Sequence, residues 1–114
     1  MRDVLETFIG RCRPKSGFKT LYTAKGGETV RFIAIANVND ANTTYSICLA
    51  QGSEGFGRKN ALVWNETINA NDNDTYGYGI PLSQGTRIGV YSAEGNALNF
   101  TVYGVFGDLG GAWW

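Results

Sequence analysis

Histidine is absent from this chain of 114 residues, and proline, cysteine and methionine are scarce, with two, two and one copies. Without histidine, Ser-His-Asp and Cys-His catalysis and histidine-ligated zinc are excluded. Two cysteines, Cys12 and Cys48, are too few for a disulfide framework or a four-ligand metal site, so we expect free thiols. Glycine-rich phosphate-binding motifs are also missing. The composition therefore predicts neither an enzyme nor a cofactor-binding protein.

The chain also lacks a net charge and long apolar runs. Ten basic and ten acidic residues balance, which implies no bulk attraction to nucleic acid or to a membrane surface. No stretch approaches the length of a transmembrane helix. Residues 1–10 contain Arg2, Asp3 and Glu6 and lack the apolar core of a signal peptide. We therefore expect a protein that is made in the cytoplasm and has neither a membrane nor a direct nucleic-acid partner.

The charges are unevenly distributed along the chain. Residues 1–31 hold seven of the ten bases and three of the ten acids, whereas the remainder holds three bases and seven acids. A basic segment joined to an acidic body indicates head-to-tail contact within an assembly. A solvated arm whose sign is accidental explains the same pattern, so both interpretations stay open.

Short strands that alternate apolar and polar residues are the main positive signal, because a period of two places successive side chains on opposite faces of a sheet. Sixteen glycines supply turns between them. One such run puts Val30, Phe32, Ala34 and Ala36 on one face and Arg31, Ile33 and Ile35 on the other; further runs are Tyr45, Ile47 and Leu49, then Ile88 and Val90, then Leu98, Phe100 and Val102. Seven strands are predicted, at residues 18–23, 29–37, 43–51, 61–65, 75–80, 86–93 and 97–106.

Strand starts at this spacing are typical of an all-β fold. We predict a two-sheet antiparallel β-sandwich, jelly-roll-like, with about seven to eight strands. The expected organisation is an N-terminal arm at residues 1–16, a sandwich domain at 17–106 and a C-terminal tail at 107–114. A chain of this length is one domain.

Three sets of polar or aromatic residues could form a functional site, and each set also has a purely structural explanation. Alternating oxygen side chains at residues 69–74 resemble calcium ligands, but a turn whose Asn and Asp bond to their own backbone explains them and is favoured. Paired carboxylates could hydrolyse a sugar, yet Glu54, Glu66, Asp72, Asp74 and Glu94 are expected as polar turn residues. Trp64, Tyr76 and Tyr78 form either a flat platform for a glycan or, as we favour, core and interface.

Trp113 and Trp114, after Gly110 and Gly111, are the most unusual local feature. Burying one large aromatic side chain is worth on the order of 1.5–3 kcal/mol, so exposure of both is costly. The tail either folds back onto its own sheet or anchors in a pocket on another subunit, since tryptophan is enriched at binding hot spots.

A longer pattern runs through residues 20–24, Gly27, 31–37, 47–50, 62–64, 68–72, 79–82, 85–88 and 97–104. This pattern resembles the small β-sandwich virion proteins of tailed bacteriophages. These are described as capsid decoration (cement) proteins, or as adaptors and fibres of the neck and tail. The likeness covers about residues 17–105 and includes neither the arm nor the two terminal tryptophans.

The resemblance implies a structural virion protein, located on the capsid surface, that binds the major capsid protein and copies of itself, with a homotrimer favoured. We hypothesise that residues of the arm and tail make the partner contacts; these are Arg2, Phe8, Ile9, Arg11, Arg13, Lys15, Trp113 and Trp114. Two alternatives stay open. The first is a neck or tail adaptor or fibre-base subunit. The second is a carbohydrate-binding β-sandwich module that uses Trp64, Tyr76 and Tyr78.

Overall fold

The alternating segments form nine β-strands in the computed structural model, which describes residues 7–77 and 79–106. The described residues also contain one 3-10 turn, at Arg58–Asn60. No described helix is long and apolar enough to cross a membrane. The strands are β1 Thr7–Cys12, β2 Lys19–Thr23, β3 Glu28–Asn37, β4 Thr43–Gln51, β5 Ala61–Ile68, β6 Asn73–Tyr76, β7 Ile80–Leu82, β8 Thr86–Ser92 and β9 Leu98–Val105.

Two antiparallel sheets pack face to face, which confirms the predicted sandwich. The first sheet has the order β1-β9-β3-β6, with β7 also paired to β3, and the second has the order β2-β8-β4-β5. Four antiparallel pairs belong to one long hairpin in which the two halves of the chain run side by side: β1·β9, β2·β8, β3·β6 and β4·β5. The hairpin is rolled up, because β9 also pairs with β3 and β8 also pairs with β4. This is the jelly-roll arrangement.

The core lies between the sheets and consists of the inward-facing residues of the long strands. Ile47, Ile88 and Val90 come from the second sheet, and Phe100 and Val102 from the first; all are at most 1% exposed. The predicted alternation in β4, β8 and β9 is therefore confirmed. Burial of these aliphatic and aromatic side chains provides the main favourable free energy of folding.

The alternation predicted for β3 is wrong at one point. Val30 pairs with Gly104 and Phe32 with Tyr103, so Arg31 is an extra residue and forms a β-bulge. After the bulge, the residues that were predicted to share a face with Val30 lie on the opposite face of the sheet. Val30 and Ile33 both point into the core, whereas Phe32 lies on the outer face.

β5 continues to Ile68, three residues beyond the predicted end, and two other segments differ from the prediction more strongly. The predicted strand at residues 75–80 is divided into β6 and β7, because Gly77 lies against the Arg31 carbonyl with no room for a Cβ and Gly79 has φ of +75°. At the N-terminus, Thr7–Cys12 pairs with β9 as an edge strand. Part of the segment predicted to be an arm therefore belongs to the sandwich.

The polar loop at residues 69–74 is a self-bonded turn, as favoured. The Asp72 carboxylate accepts a bond from the Asn73 amide at 2.8 Å, and Asn71 has φ of +57°. The Asn42 side chain accepts a bond from the Ala70 amide at 2.9 Å. The cysteines are free, as predicted, and both are buried.

Candidate interaction surface on the first sheet

The outer face of the first sheet carries three residues of the predicted arm, Phe8, Arg11 and Arg13. In the strand register Arg11 lies opposite Thr101, Thr101 opposite Ala34, and Ala34 opposite Thr75. Residues directly opposite in antiparallel strands share one face of the sheet. These four residues therefore form a row across four of the five strands of the first sheet, β1, β9, β3 and β6.

An aromatic cluster lies next to this row. Tyr103 pairs with both Phe8 and Phe32 in the register, and its ring packs edge-on against Phe8 at 6.3 Å and stacks on Phe32 at 4.7 Å. The Arg11 guanidinium lies 4.8 Å from the centre of the Phe8 ring, a cation–π contact. Phe8 is nevertheless 47% exposed. A large apolar side chain at this exposure is available to a partner.

Beside the aromatic cluster a trough of about 500 Å³ remains open between described residues. The small side chains of Ala34 and Ala36 form the bottom of the trough and leave it open. Arg11 and Arg13 line the side of the trough next to β1. The Arg13 Nε donates a hydrogen bond of 2.7 Å to the Asn99 side-chain oxygen. Both arginines thus contact uncharged groups, and Asp74 lines the same trough on the β6 side. We call Phe8, Arg11, Arg13, Phe32 and Tyr103 the aromatic–arginine face.

Three of the predicted partner-binding residues, Phe8, Arg11 and Arg13, are brought together on this face. Ile9 instead packs against the core and approaches Gly104, which makes it a structural residue. Lys15 is exposed in the connection between β1 and β2, where its carbonyl approaches Gly95. Arg2, Trp113 and Trp114 lie outside the described residues.

Phe32 and Tyr103 belong to the face but were missed by the sequence reasoning. For Phe32 the reason is the bulge at Arg31, which reverses the expected facing of every later residue in β3. For Tyr103 a signal was present. It alternates with Phe100 and Val102, which are inward, and it is therefore expected on the outside.

The outer face of the second sheet is also aromatic, but the loop at residues 52–60 covers it. Phe56 of this loop lies on Gly89, so close that a methyl group on Gly89 would be 2.5 Å from the ring. Phe18 packs on Phe56 at 5.6 Å and on Tyr91 at 5.4 Å. The Arg87 Nε donates a bond of 3.0 Å to the Gly52 carbonyl and so fastens the loop.

Cys48 lies under this loop, on the opposite strand face from Ile47, as predicted. Its thiol is fully buried and donates a hydrogen bond to the Gly57 carbonyl at 3.3 Å. Burial raises the pKa of the Cys48 thiol. Desolvation likewise raises the pKa of Cys12, although the charge of Lys19 opposes it. Both thiols are therefore protonated and unreactive near neutral pH.

Glu28 is the most buried carboxylate described, at 1% exposure. It accepts hydrogen bonds from the Tyr22 hydroxyl and, at 2.7 Å each, from the amides of Lys25 and Gly26. Burial alone would raise the pKa of Glu28, but the Tyr22 and backbone bonds outweigh it and lower the pKa below its ordinary value. The carboxylate is saturated with donors, which is the property of a structural link between β2 and β3 rather than of a catalytic acid.

The aromatic residues proposed as a glycan platform are partly brought together. Trp64 and Tyr76 line one cleft between the edge strands β5 and β6, together with Glu66 and Asp74. Tyr78 lies outside the described residues. Two other carboxylates considered for catalysis are engaged elsewhere: Glu54 lies 3.9 Å from Lys59, and Asp72 accepts the bond from the Asn73 amide.

Comparison with known proteins returned no matching family model, no matching curated protein and no matching solved structure. The function of this chain must therefore be argued from its own residues and surfaces.

Proposed function

We propose that this protein is a structural subunit of a tailed-phage particle, of the capsid decoration type, which binds the assembled shell through its aromatic–arginine face. The observation that carries the proposal is the contrast between the two outer faces. The loop at residues 52–60 covers the second sheet, whereas Phe8 on the first sheet is about half exposed beside an open trough.

The chemistry of the face suits a protein partner. Aromatic residues and arginine are enriched at binding hot spots, and here Phe8 and Arg11 are in contact at 4.8 Å. The two arginines favour an acidic segment of the partner, since guanidinium pairs well with carboxylates. A subunit that binds only the assembled shell stabilises that shell by mass action. This role needs rigid surfaces and no catalytic group.

The charge pattern supports contact between copies as well. The edge strands β1 and β2 lie together at one side of the sandwich, where Arg11, Arg13, Lys15 and Lys19 are all exposed. Glu66 on β5 lies at the opposite side, whereas Asp74 on β6 lines the trough together with Arg11 and Arg13. Opposite charges on opposite sides favour head-to-tail association, and heterologous contacts of this type form a closed ring when the rotation between neighbouring copies closes. A homotrimer on the shell is the state that we propose.

Cosedimentation with purified shells of the encoding phage tests the proposal. The test variant is Arg13→Ala and the matched control is Arg58→Ala, an exposed arginine beside the second sheet. We expect wild type and Arg58→Ala to sediment with shells and Arg13→Ala to bind at least about tenfold more weakly, which corresponds to about 1.4 kcal/mol. Equal binding of Arg13→Ala and wild type would remove the face from the proposal.

The position on the particle separates decoration from the adaptor alternative. Gold labelling of the chain in electron micrographs should cover the whole shell if it decorates the capsid. Label confined to the single portal vertex or to the tail would overturn the decoration proposal and support the neck or tail adaptor instead.

A further inference from the structure

The two sheets separate at one side of the sandwich, between the edge strands β5 and β6, and leave a cleft of about 440 Å³. This volume lies within the range of small-molecule sites. The inner wall is apolar, since Leu62 and Val63 line it and both pack on the core. Trp64 and Tyr76 line it as well, and Trp64 is fixed by stacking on Phe18 at 6.3 Å.

Oxygen atoms complete the lining of this cleft. The Tyr45 hydroxyl donates a hydrogen bond of 3.0 Å to Oδ2 of Asp74. Glu66 adds a second carboxylate. Burial, followed by the hydrogen bond to Asp74 and then the charges of Asp74 and Glu66, raises the pKa of Tyr45, so its phenol stays protonated and keeps donating to Asp74.

We propose that the cleft binds a pyranose sugar, neutral or amino, in a site formed by Tyr76 and Trp64 with Asp74 and Glu66. A pyranose has an apolar face of C–H groups and a rim of hydroxyls. The aromatic and aliphatic wall matches the face, and the carboxylates, which only accept hydrogen bonds when ionised, match the hydroxyls.

The charge of the lining sets which sugars fit. Glu66 and Asp74 contribute two negative charges, and no basic residue lines the cleft among the described residues. A uronic or sialic acid would place a third negative charge beside them, whereas a protonated amino sugar would be attracted. The expected order of affinity is therefore glucosamine above glucose, with glucuronate weakest.

This inference goes beyond shell binding, because none of the five residues of the aromatic–arginine face lines the cleft, although Asp74 lines both the cleft and the trough, and because the site needs no second protein. A particle subunit with such a cleft would hold glycans of a cell surface. Its test uses the isolated chain without shells, so failure of one proposal leaves the other standing.

Saturation-transfer NMR and calorimetric titration with glucose, glucosamine and glucuronate test the site. In the wild-type chain we expect binding of glucosamine and glucose at millimolar concentration and weaker or no binding of glucuronate. Tyr76→Ala should weaken both by about two- to tenfold, the range of one aromatic contact. Glu66→Gln, at an exposed position that does not endanger folding, should reduce the preference for glucosamine over glucose.

The matched control is Glu94→Gln, an exposed carboxylate in the turn between β8 and β9. It should bind all three sugars as wild type does. The proposal is overturned if none of the sugars binds, if glucuronate binds as tightly as glucosamine, or if Glu66→Gln and Glu94→Gln behave alike. Thermal melting of each variant identifies unfolding, and Glu66→Gln decides the question should Tyr76→Ala fail to fold.

Discussion

The two outer faces of the sandwich carry similar aromatic residues but differ in what lies over them. On the second sheet, Phe56 from the loop at residues 52–60 packs on Gly89 and Phe18, and the cluster is a small second core. On the first sheet, Phe8 and Tyr103 stand beside a trough above Ala34. Aromatic content alone therefore does not identify an interface. Within residues 7–77 and 79–106, what distinguishes the two faces is whether a loop of the chain covers them.

Replacing Gly89 by valine should have the largest effect. The new side chain would overlap the Phe56 ring, and overpacking of this kind costs about 3 kcal/mol at its upper end. We expect a correspondingly lower midpoint in urea. Ala34→Val is the matched change on the first sheet, where the trough has room, and should alter stability by less than about 0.5 kcal/mol. Equal losses in the two variants would show that the faces do not differ.

Phe56→Ala should remove the cover from the second sheet. Truncating a fully buried phenylalanine costs 3–5 kcal/mol, and Phe56 is half-buried, so we expect about 2 kcal/mol. The Cys48 thiol, now fully buried below the loop, should then react with a disulfide reagent in the folded protein. The double variant Phe56→Ala, Cys48→Ala should lose that fast-reacting thiol. Slow labelling in Phe56→Ala would mean that the loop stays closed without its aromatic contact.

Tyr22→Phe should lower the stability of the sandwich without changing a residue of either outer aromatic cluster. Glu28 would lose one donor, at a cost of about 1 kcal/mol at neutral pH. In the folded protein, burial and Glu28 raise the pKa of Tyr22 to about 12, above its ordinary value of 10. The stability that this raised pKa represents is complete below pH 10 and is lost as the pH rises towards 12.

The Tyr22–Glu28 hydrogen bond also predicts that the protein loses stability in acid. Because the folded-state pKa of Glu28 is lowered, its contribution is present above the ordinary value of 4.5 and is lost as the pH falls below it. Urea titrations across pH should show both losses in wild type, whereas Tyr22→Phe should lack the alkaline loss that Tyr22 contributes. An unchanged alkaline limb in Tyr22→Phe would contradict the assignment. Shell binding at neutral pH should be unaffected.

Phe8→Ala should have the smallest effect on stability and a large one on association. Phe8 is about half exposed on an edge strand, so we expect a loss below about 1 kcal/mol in urea. Cosedimentation with shells should nevertheless weaken, because the variant removes the most exposed aromatic of the face. A stability loss as large as that of Phe56→Ala, or undiminished shell binding, would put Phe8 in the same class as the covered aromatics.

Much of the fold was predictable from the period of two. Ile47, Val90 and Phe100 point inwards as their alternation requires, and the turn at residues 69–74 follows from its own Asn and Asp groups. The bulge at Arg31 was not predictable, because one inserted residue depends on pairing with a distant strand, here β9. The division of β6 from β7 at Gly77 depends on the same bulge.

The candidate face was only partly predictable for a related reason. Phe8, Arg11 and Arg13 share one segment, and their grouping could be read from the sequence. Phe32 and Tyr103 join them through strand pairing alone. The covering of the second sheet by Phe56 rests on a loop contact between residues more than thirty positions apart, which no local pattern encodes.

Hydrogen exchange of the chain, free and bound to shells, tests the central contrast most directly. Shell binding through the aromatic–arginine face should slow exchange in peptides that cover residues 7–13 and leave the loop at residues 52–60 unchanged. Protection of the loop with no change in residues 7–13 would contradict the account and assign the partner contact to the second sheet.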